Sequence, residues 1–290
     1  MHASTRLQDT TMIHTHVTAP TEFIEAGGVR YACRRLGATS GVPLLFLQHF
    51  TGTMDGWDPS VVDGFARERP VVLFDNAGVS RSAGMTPATV EAMADAAATF
   101  ISALGTGPVD LLGFSLGGFV AQVVAERHPH LVRRMILAGT GPEGGEGIVN
   151  LPRVIAEGQQ ATPAEPRLYL FFDRTPSSQA AGQAFIGRQG QRTVDRDPDS
   201  SNQTVAAQLA AIVRWGGLPS DAAASRLERI PHPVLVVNGK TDVMVPTINS
   251  VALFHGLPNA KLVLYPDSGH GALFQYASAF VGAGLQFLEN

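Results

Sequence analysis

Cysteine is nearly absent from this sequence: Cys33 is the only one among 290 residues. A single thiol excludes an internal disulfide framework. Cys33 lies in an alternating stretch, from Val29 onward, that is typical of a β-strand. We therefore interpret it as a structural residue rather than a catalytic one.

Long apolar runs and an excess of positive charge are also absent. No stretch approaches the roughly 20 apolar residues that a membrane-spanning helix needs, so we expect no membrane association. The 21 basic residues stand against 25 acidic ones, and the net charge of −4 is mild for this length. A nucleic-acid partner would need a basic field, which this composition does not supply.

The first twenty residues show neither a secretory signal nor a metal-binding pattern. They are polar and rich in Thr and His, without the continuous apolar segment of a signal peptide, so we expect a cytoplasmic protein by default. His2, His14 and His16 could bind a metal ion, but no other ligand pattern surrounds them. We interpret residues 1–20 as a flexible leader, and we predict neither a metal site nor a cofactor.

The sequence does contain enough apolar material for a large core, at 44% of residues against 16% charged. Short apolar runs alternate with helix-like stretches, which implies an α/β fold with a mostly parallel sheet flanked by helices. The predicted strands are 23–25, 29–35, 44–47, 71–74, 109–112, 135–137, 234–237 and 261–265. The predicted helices are 59–67, 86–104, 117–127, 247–255 and 273–288.

The alternation stops after Leu137 and resumes at Val234. Between them, residues 141–220 are rich in Gly, Pro, Gln and Arg and contain helix-like pieces at 167–172 and 204–215. We predict one α/β core built from residues 21–140 and 221–290, with 141–220 inserted as a helical cap. Loops that follow parallel strands open on one edge of the sheet, so we expect the cap to lie there.

The motif Gly113-Phe114-Ser115-Leu116-Gly117 lies between a predicted strand and a predicted helix. This Gly-x-Ser-x-Gly pattern is typical of a nucleophile on a strained strand-to-helix turn. Side chains two residues away on either side would collide within the turn, which explains the glycines. Ser115 would then lie at a helix N-terminus, where free N–H groups favour a developing negative charge. An incidental serine in a glycine-rich turn is the alternative.

A serine hydroxyl is a poor nucleophile without a base. His270 is the candidate base, because it lies between the last predicted strand and the last helix. Asp242 follows strand 234–237 and is the candidate acid, which would fix the tautomer of the imidazole. Asp267 is the rival acid, but we interpret it as a capping or surface residue, since a triad acid usually comes from a different loop.

With these motifs, the chain resembles the α/β-hydrolase family from residue 21 to residue 290, the insertion excepted. The segment 75–82 is similar to the family's Asp-x-x-Gly-x-Gly-x-Ser loop, with an alteration at Val79-Ser80 where the second glycine is expected. Among subgroups, the resemblance is greatest to small bacterial esterases, enol-lactonases and cofactor-free haloperoxidases.

The resemblance also implies an oxyanion hole. In the family's His-Gly-x loop after the third strand, Gln48 stands for the histidine and His49 for the glycine. Phe50 then matches the residue whose backbone N–H binds the oxyanion, and Leu116 would supply the second N–H. His49 is either a packing residue or a substrate contact.

The resemblance and the candidate triad together imply a serine hydrolase that cleaves a small-molecule carboxylic ester or lactone through an acyl-enzyme. Ser115 disfavours epoxide opening and halide displacement, for which relatives use aspartate. Two alternatives stay open: cofactor-free perhydrolase or haloperoxidase-type activity, and a non-enzymatic ligand-binding member of the fold. The sequence does not indicate an oligomeric state.

The candidate substrate contacts are mostly aromatic: His49, Phe114, Phe171, Phe172 and Trp215. Together with Tyr169 and Phe185, the aromatic residues of the insertion could instead form the cap's own core. The insertion also carries several arginines that are typical of a solvated face, although one of them could meet a substrate carboxylate: Arg167, Arg174, Arg188 and Arg192.

Overall fold

The computed structural model describes residues 14–219 and 226–289. Its strands are β1 Glu22–Ala26, β2 Val29–Gly37, β3 Leu44–Leu47, β4 Pro70–Phe74, β5 Val109–Phe114, β6 Val132–Ala138, β7 Val234–Gly239 and β8 Ala260–Tyr265. They form one sheet in the order β1-β2-β4-β3-β5-β6-β7-β8. The β1–β2 and β2–β4 pairs are antiparallel and the other pairs are parallel. The predicted α/β class with a mostly parallel sheet is confirmed.

The local sequence explains these strands. β1 and β2 form a hairpin at Gly27 and Gly28, whose φ values of 57° and 77° suit glycine. The central strands β3 and β5 are buried along their whole length. Continuous apolar strands of this kind are expected where helices cover both faces of a sheet.

Helices cover the sheet and form the insertion, and those of the core differ from the predicted helices mainly at their ends. The helices are α1 Pro59–Ala66, α2 Val90–Leu104, α3 Leu116–Arg127, α4 Leu151–Ala161, α5 Arg167–Phe171, α6 Pro176–Gln189, α7 Asn202–Gly216, α8 Ile248–Gly256, α9 Ala272–Gln275 and α10 Ala277–Glu289. α2 begins after Thr89 rather than at Thr86, because the Thr89 side chain accepts the N–H of Ala92 (3.2 Å) and caps the helix. The predicted last helix is divided into α9 and α10 at Tyr276.

Helices α4 to α7 lie between β6 and β7, in the region predicted as an insertion. Sequence reasoning predicted α5 and α7 but neither α4 nor α6. Aromatic contacts join the insertion to the core: the Phe185 ring of α6 stacks on Phe274 of α9, with centroids 4.5 Å apart. Residues 220–225, at the predicted boundary of the insertion, lie outside the described residues.

Residues 14–20 pack against the core, so the predicted flexible leader is wrong for this part; residues 1–13, including His2, lie outside the described residues. The N–H of His16 donates to Asp63 (2.6 Å), and its ring Nε2 lies 3.0 Å from the carbonyl O of Met54. Arg192 donates to the carbonyl oxygens of His16 and Val17, each at 3.0 Å. These partners are distant in sequence, and therefore no local pattern predicted the anchoring.

Cys33 is fully buried in β2, and burial raises the pKa of its thiol to about 11. The thiol therefore stays protonated near neutral pH. Within the described ranges, no helix is long and apolar enough to cross a membrane. The same ranges contain no group of three or more His, Cys, Asp or Glu side chains that could hold a metal ion.

Candidate active site

Ser115 occupies a sharp turn between β5 and α3. Its backbone has φ 55° and ψ −119°, which a residue with a side chain adopts only under constraint. A Cβ at Gly117 would lie 2.0 Å from the carbonyl O of Leu47, and one at Gly113 would lie 2.5 Å from the carbonyl O of Gly117. Close backbone packing therefore requires both glycines of the motif.

His270 and Asp242 form a hydrogen-bonded pair at the same edge of the sheet, because they follow the neighbouring parallel strands β8 and β7. Nδ1 of His270 lies 2.7 Å from Oδ2 of Asp242, and both side chains are fully buried. The other carboxylate oxygen, Oδ1, accepts the N–H groups of Met244 (2.8 Å) and Val245 (2.9 Å). Since a carboxylate only accepts, Nδ1 carries the hydrogen, and in the neutral imidazole Nε2 then presents its lone pair.

Asp267, the rival acid, is bound to the insertion instead. Its two carboxylate oxygens accept the hydroxyl groups of Thr175 and Ser177 at the start of α6, each at 2.5 Å. These hydroxyl donors hold the pKa of Asp267 below its usual value. Asp267 therefore tethers α6 to the loop before His270, and the structure favours Asp242 as the partner of the imidazole.

Two aromatic rings hold the imidazole of His270. The ring centroids of Phe114 and Phe171 lie 4.8 and 5.5 Å from that of His270. Nε2 of His270 is buried and makes no hydrogen bond to the described residues. His270 and Ser115 line one cavity, so a molecule bound there would contact the predicted nucleophile and the predicted base together.

The predicted oxyanion loop is a tight turn after β3, which we call the 49–52 turn. The N–H of Gly52 donates to the carbonyl O of His49 (3.1 Å) and closes the turn around Phe50 and Thr51. Thr51 has a φ of 61°, in the left-handed region that favours glycine or asparagine at this position of a turn. A branched residue keeps such a conformation only where its surroundings impose it.

Phe50 and Leu116 are the predicted oxyanion donors, and the N–H group of neither residue donates a hydrogen bond within a helix or strand. Leu116 is the first residue of α3, and the N–H groups of a first helical turn have no acceptor within the helix. On either side of Phe50, the N–H of His49 donates to Oε1 of Gln48 (3.2 Å) and that of Thr51 donates to Oε1 of Gln208 (2.7 Å). Neither acceptor uses the Phe50 N–H between them.

His49 packs against aromatic rings and also lines the cavity with Ser115. The imidazole meets the rings of Phe114 and Phe171 edge-on, at 5.3 and 5.5 Å. Its Nδ1 lies 2.8 Å from the carbonyl O of Phe50 and donates to it. The pKa of His49 is lowered to about 4, chiefly by burial, with smaller contributions from the charge of His270 when protonated and that of Arg167. His49 is therefore neutral at pH 7.

A depressed pKa at His49 predicts that the protein loses stability in mild acid. The unfolded chain protonates this residue near pH 6.5, whereas the folded protein resists protonation until about pH 4. The contribution is therefore fully present above pH 6.5 and is lost as the pH falls from 6.5 towards 4. Between pH 7 and pH 5, we expect wild type to lose about 2 kcal/mol more unfolding free energy than His49→Gln. Urea unfolding at both pH values measures this difference, and equal losses in the two proteins would contradict a half-buried His49 that stays neutral in the folded protein.

The cavity above Ser115 has a volume of about 440 Å³, within the range of small-molecule sites. Core residues form one side of it, and α4, α5 and α7 of the insertion form the other. Sequence reasoning missed several of the residues that line it, including Ile155, Leu170, Val205, Leu209 and Met244. The i, i+4 spacing of Val205 and Leu209 on a helix was the available signal.

Three of the predicted substrate contacts do not line this cavity, and their prediction is wrong. Phe114 is fully buried beneath His270. Phe172 packs on Phe185, with ring centroids 5.7 Å apart, and Trp215 stacks on Phe119 at 5.3 Å. Phe172 therefore packs within the insertion, which is the alternative that the sequence left open, whereas Trp215 packs the insertion against α3 of the core. The predicted contacts that do line the cavity are His49 and Phe171, together with Phe50.

Of the four arginines predicted for a solvated face, Arg174 is exposed and donates to the carbonyl oxygens of Tyr169 and Phe172, each at 2.8 Å. The other three are at least partly buried against partners. Arg188 makes two bonds to the buried carboxylate of Asp58 (2.9 and 2.6 Å), and Arg192 is buried against residues 16 and 17. Arg167 lines the cavity, but its Nε and Nη2 donate to the two carboxylate oxygens of Glu165, each at 2.7 Å. A substrate carboxylate would have to displace Glu165 to reach Arg167.

Comparison with known proteins gives consistent matches. A family model described as the alpha/beta hydrolase fold matches residues 42–276. A solved structure from Chitinophaga pinensis, described as an alpha/beta hydrolase fold protein, is 44% identical, with a TM-score of 0.90 over 96% of this chain and 100% of that one.

Two curated relatives show a lower level of identity. One from Mycobacterium tuberculosis, whose name assigns it to the non-heme bromoperoxidases, is 26% identical over 87% of this chain and 95% of its own length. One from Burkholderia cepacia, named 2-hydroxy-6-oxo-6-phenylhexa-2,4-dienoate hydrolase, is 29% identical over 76% of this chain and 77% of its own length.

Proposed function

Because the chain belongs to the alpha/beta hydrolase fold family, we propose that it is a serine hydrolase that cleaves a carboxylic ester or a lactone. The observation that carries this proposal is the buried His270–Asp242 pair: Nε2 of His270 makes no hydrogen bond to the described residues, and His270 lines one cavity with Ser115. A base held in one tautomer beside a serine on a strained turn is the arrangement that acyl transfer needs.

In the proposed mechanism, Nε2 of His270 takes the proton of Ser115 as Oγ attacks the carbonyl carbon. The N–H groups of Phe50 and Leu116 stabilise the tetrahedral oxyanion. His270 returns the proton to the leaving alcohol, which leaves an acyl-enzyme on Ser115. Water then attacks the acyl carbon by the same route, with His270 as base, and restores the free serine.

The lining of the cavity supports an uncharged acyl group. Aliphatic and aromatic side chains supply most of its walls, and Glu165 neutralises Arg167, the cation that lines it. We therefore propose that neutral esters and lactones are better substrates than dienoates with a free carboxylate, the kind of compound in the name of the Burkholderia cepacia relative.

A substrate panel tests this proposal. It comprises p-nitrophenyl esters from acetate to decanoate, lactones with side chains of increasing length, and one dienoate. We expect turnover of neutral esters or lactones together with fluorophosphonate labelling of Ser115. No turnover across the panel and no labelling at Ser115 would refute the proposal, whereas turnover of the dienoate alone would refute the preference for neutral substrates.

The position of Ile155 predicts a way to shorten the preferred acyl chain. Ile155 lies on α4 and lines the cavity, so Ile155→Trp should fill the space that a longer acyl group needs. We expect kcat/KM for decanoate relative to acetate to fall by about 10- to 100-fold, the scale of discrimination in an apolar pocket. Ala156→Trp, which adds the same side chain at an exposed position of α4, is the control and should leave the ratio unchanged. Equal ratios in the two variants would place the acyl group elsewhere.

Peracid formation is a second candidate, favoured by the match to a relative named among the bromoperoxidases. It would use the same acyl-enzyme, with hydrogen peroxide in place of water as the attacking molecule. The assay adds peroxide to the best ester and follows oxidation of a halide reporter. An oxidation rate that depends on Ser115 and on the ester would support this activity, and a rate independent of both would exclude it.

A further inference from the structure

Beyond covering the cavity, the insertion reaches the backbone of the 49–52 turn. The N–H of Thr51 donates to Oε1 of Gln208 (2.7 Å), and the carbonyl O of Thr51 accepts the hydroxyl of Ser200 (3.0 Å). Both partners belong to the insertion: Gln208 lies on α7 and is buried, and Ser200 lies just before this helix. Both backbone polar groups of Thr51 are therefore bound by residues about 150 positions away in the sequence.

These two bonds act on the residue of the turn that cannot hold its conformation alone. Thr51 is branched at Cβ and has a φ of 61°, whereas this position of a turn normally carries glycine or asparagine. Without external partners, a threonine would relax towards negative φ, and the peptide planes on either side of it would rotate. The contacts with Gln208 and Ser200 oppose this relaxation.

The peptide between Phe50 and Thr51 is held on both sides. Its N–H is bound by Gln208, and its carbonyl O, that of Phe50, accepts the Nδ1 hydrogen of His49 (2.8 Å). Fixing this plane fixes ψ of Phe50, and the closing bond from Gly52 to His49 limits the other end of the turn. The direction of the Phe50 N–H, the predicted oxyanion donor, follows from these constraints.

We propose that Gln208 is a positioning residue that holds the Phe50 N–H in line for the oxyanion through Thr51. The insertion thus helps to assemble the oxyanion site. This inference rests on the proposed function, since it concerns the donor of the proposed acyl transfer. Gln208 contacts neither the serine nor the substrate in this scheme, because its effect passes through the backbone of the turn.

The test replaces Gln208 with Met, which is similar in size but lacks the acceptor oxygen of the amide. The matched control is Thr204→Val, one helical turn earlier on α7. Thr204 is also buried, and its hydroxyl bonds to the carbonyl O of Gly78 (2.9 Å), away from the 49–52 turn. Gln208→Met loses one bond between α7 and the core, whereas Thr204→Val loses two, since the Thr204 hydroxyl also lies 2.9 Å from that of Thr86. The control should therefore lower the melting temperature at least as much as Gln208→Met.

The rate at which a fluorophosphonate labels Ser115 is the first measurement, because the phosphoryl oxygen occupies the oxyanion site during attack. We expect Gln208→Met to label about 10- to 100-fold more slowly than wild type, somewhat less than the loss of a whole oxyanion donor. Thr204→Val should label within about twofold of wild type. Labelling as fast in Gln208→Met as in Thr204→Val would overturn the proposal.

Steady-state kinetics then separates positioning from simple anchoring of the helix. Val205 and Leu209, on the same helix as Gln208, line the cavity, so a helix that merely shifted would change KM and the ranking of substrates. Positioning of the oxyanion donor instead predicts a lower kcat with KM and ranking unchanged. A change in KM and ranking without a selective loss of kcat would overturn the proposal.

The experiments distinguish an incorrect hydrolase assignment from an incorrect role for Gln208. Wild type that is not labelled at Ser115 would refute the hydrolase assignment. Amide hydrogen exchange tests the contact itself without any catalytic readout: the Thr51 N–H should exchange faster in Gln208→Met than in wild type and Thr204→Val. Unchanged exchange at Thr51 would show that Gln208 does not hold the turn.

Discussion

Replacing Ser115 with alanine is expected to lower ester hydrolysis by about 10³- to 10⁶-fold while the fold stays intact. The change removes the attacking oxygen, and no neighbouring group can take its place on this turn. The backbone bonds of the turn remain, including the one from Oγ1 of Thr140 to the carbonyl O of Ser115 (2.8 Å). Initial rates on the best ester and fluorophosphonate labelling measure the loss of activity, and the melting temperature shows whether the fold stays intact.

Ser80→Ala is the matched control for this experiment. Ser80 also has a positive φ, at 50°, and its hydroxyl is buried without a hydrogen-bond partner among the described residues. It does not line the cavity with Ser115. The control should keep wild-type activity and labelling. If Ser115→Ala retained substantial hydrolysis, or if the label appeared on another serine, the nucleophile would be misassigned.

Replacing Asp242 with asparagine is expected to lower kcat by about 10⁴-fold through the tautomer of His270. Oδ1 of Asp242 already accepts two backbone N–H groups, from Met244 and Val245. The amide oxygen of asparagine would keep those bonds, which turns its NH₂ group towards Nδ1 of His270. Nδ1 would then have to accept, so the hydrogen would move to Nε2, and Nε2 could no longer take the proton of Ser115. The measurement is kcat on the best ester, with the melting temperature as a check on folding.

Asp267→Asn tests the rival carboxylate by the same chemical change. Its two hydrogen bonds come from the hydroxyl groups of Thr175 and Ser177 at the start of α6, so we expect kcat within about threefold of wild type and only a small fall in melting temperature. A large fall in kcat for Asp267→Asn and a small one for Asp242→Asn would reverse the assignment of the acid.

The sequence predicted the sheet and the placement of the three proposed catalytic residues because both depend on short-range rules. Buried parallel strands appear as continuous apolar runs, and the glycines around Ser115 are needed where a Cβ would meet the backbone. Residues that follow parallel strands lie at the same edge of the sheet, and here Nδ1 of His270 lies 2.7 Å from Oδ2 of Asp242. Helix ends were less accurate, since the start of α2 depends on the Thr89 side chain.

The insertion was harder to predict, because helix α6 has no clear apolar face in the sequence. Phe172 and Trp215 look equally suited to a pocket and to a core when read from the sequence alone. Their partners decide the matter: Phe172 meets Phe185 and Trp215 meets Phe119. Which aromatic side chains face a cavity depends on how the helices pack together. That packing depends on contacts with residues distant in the sequence, which a local pattern does not contain.

The α/β core and the turn that presents Ser115 can therefore be predicted from the sequence alone, as can the candidates His270 and Asp242 from their places after predicted strands. The lining of the cavity, the packing of residues 14–20 on the core and the bond from the Thr51 N–H to Gln208 are visible only in the folded structure. Local rules suffice for the first group because steric limits act within a few residues of the chain. The second group depends on contacts between distant segments, such as the 157 positions between Thr51 and Gln208, and these form only when the whole chain packs.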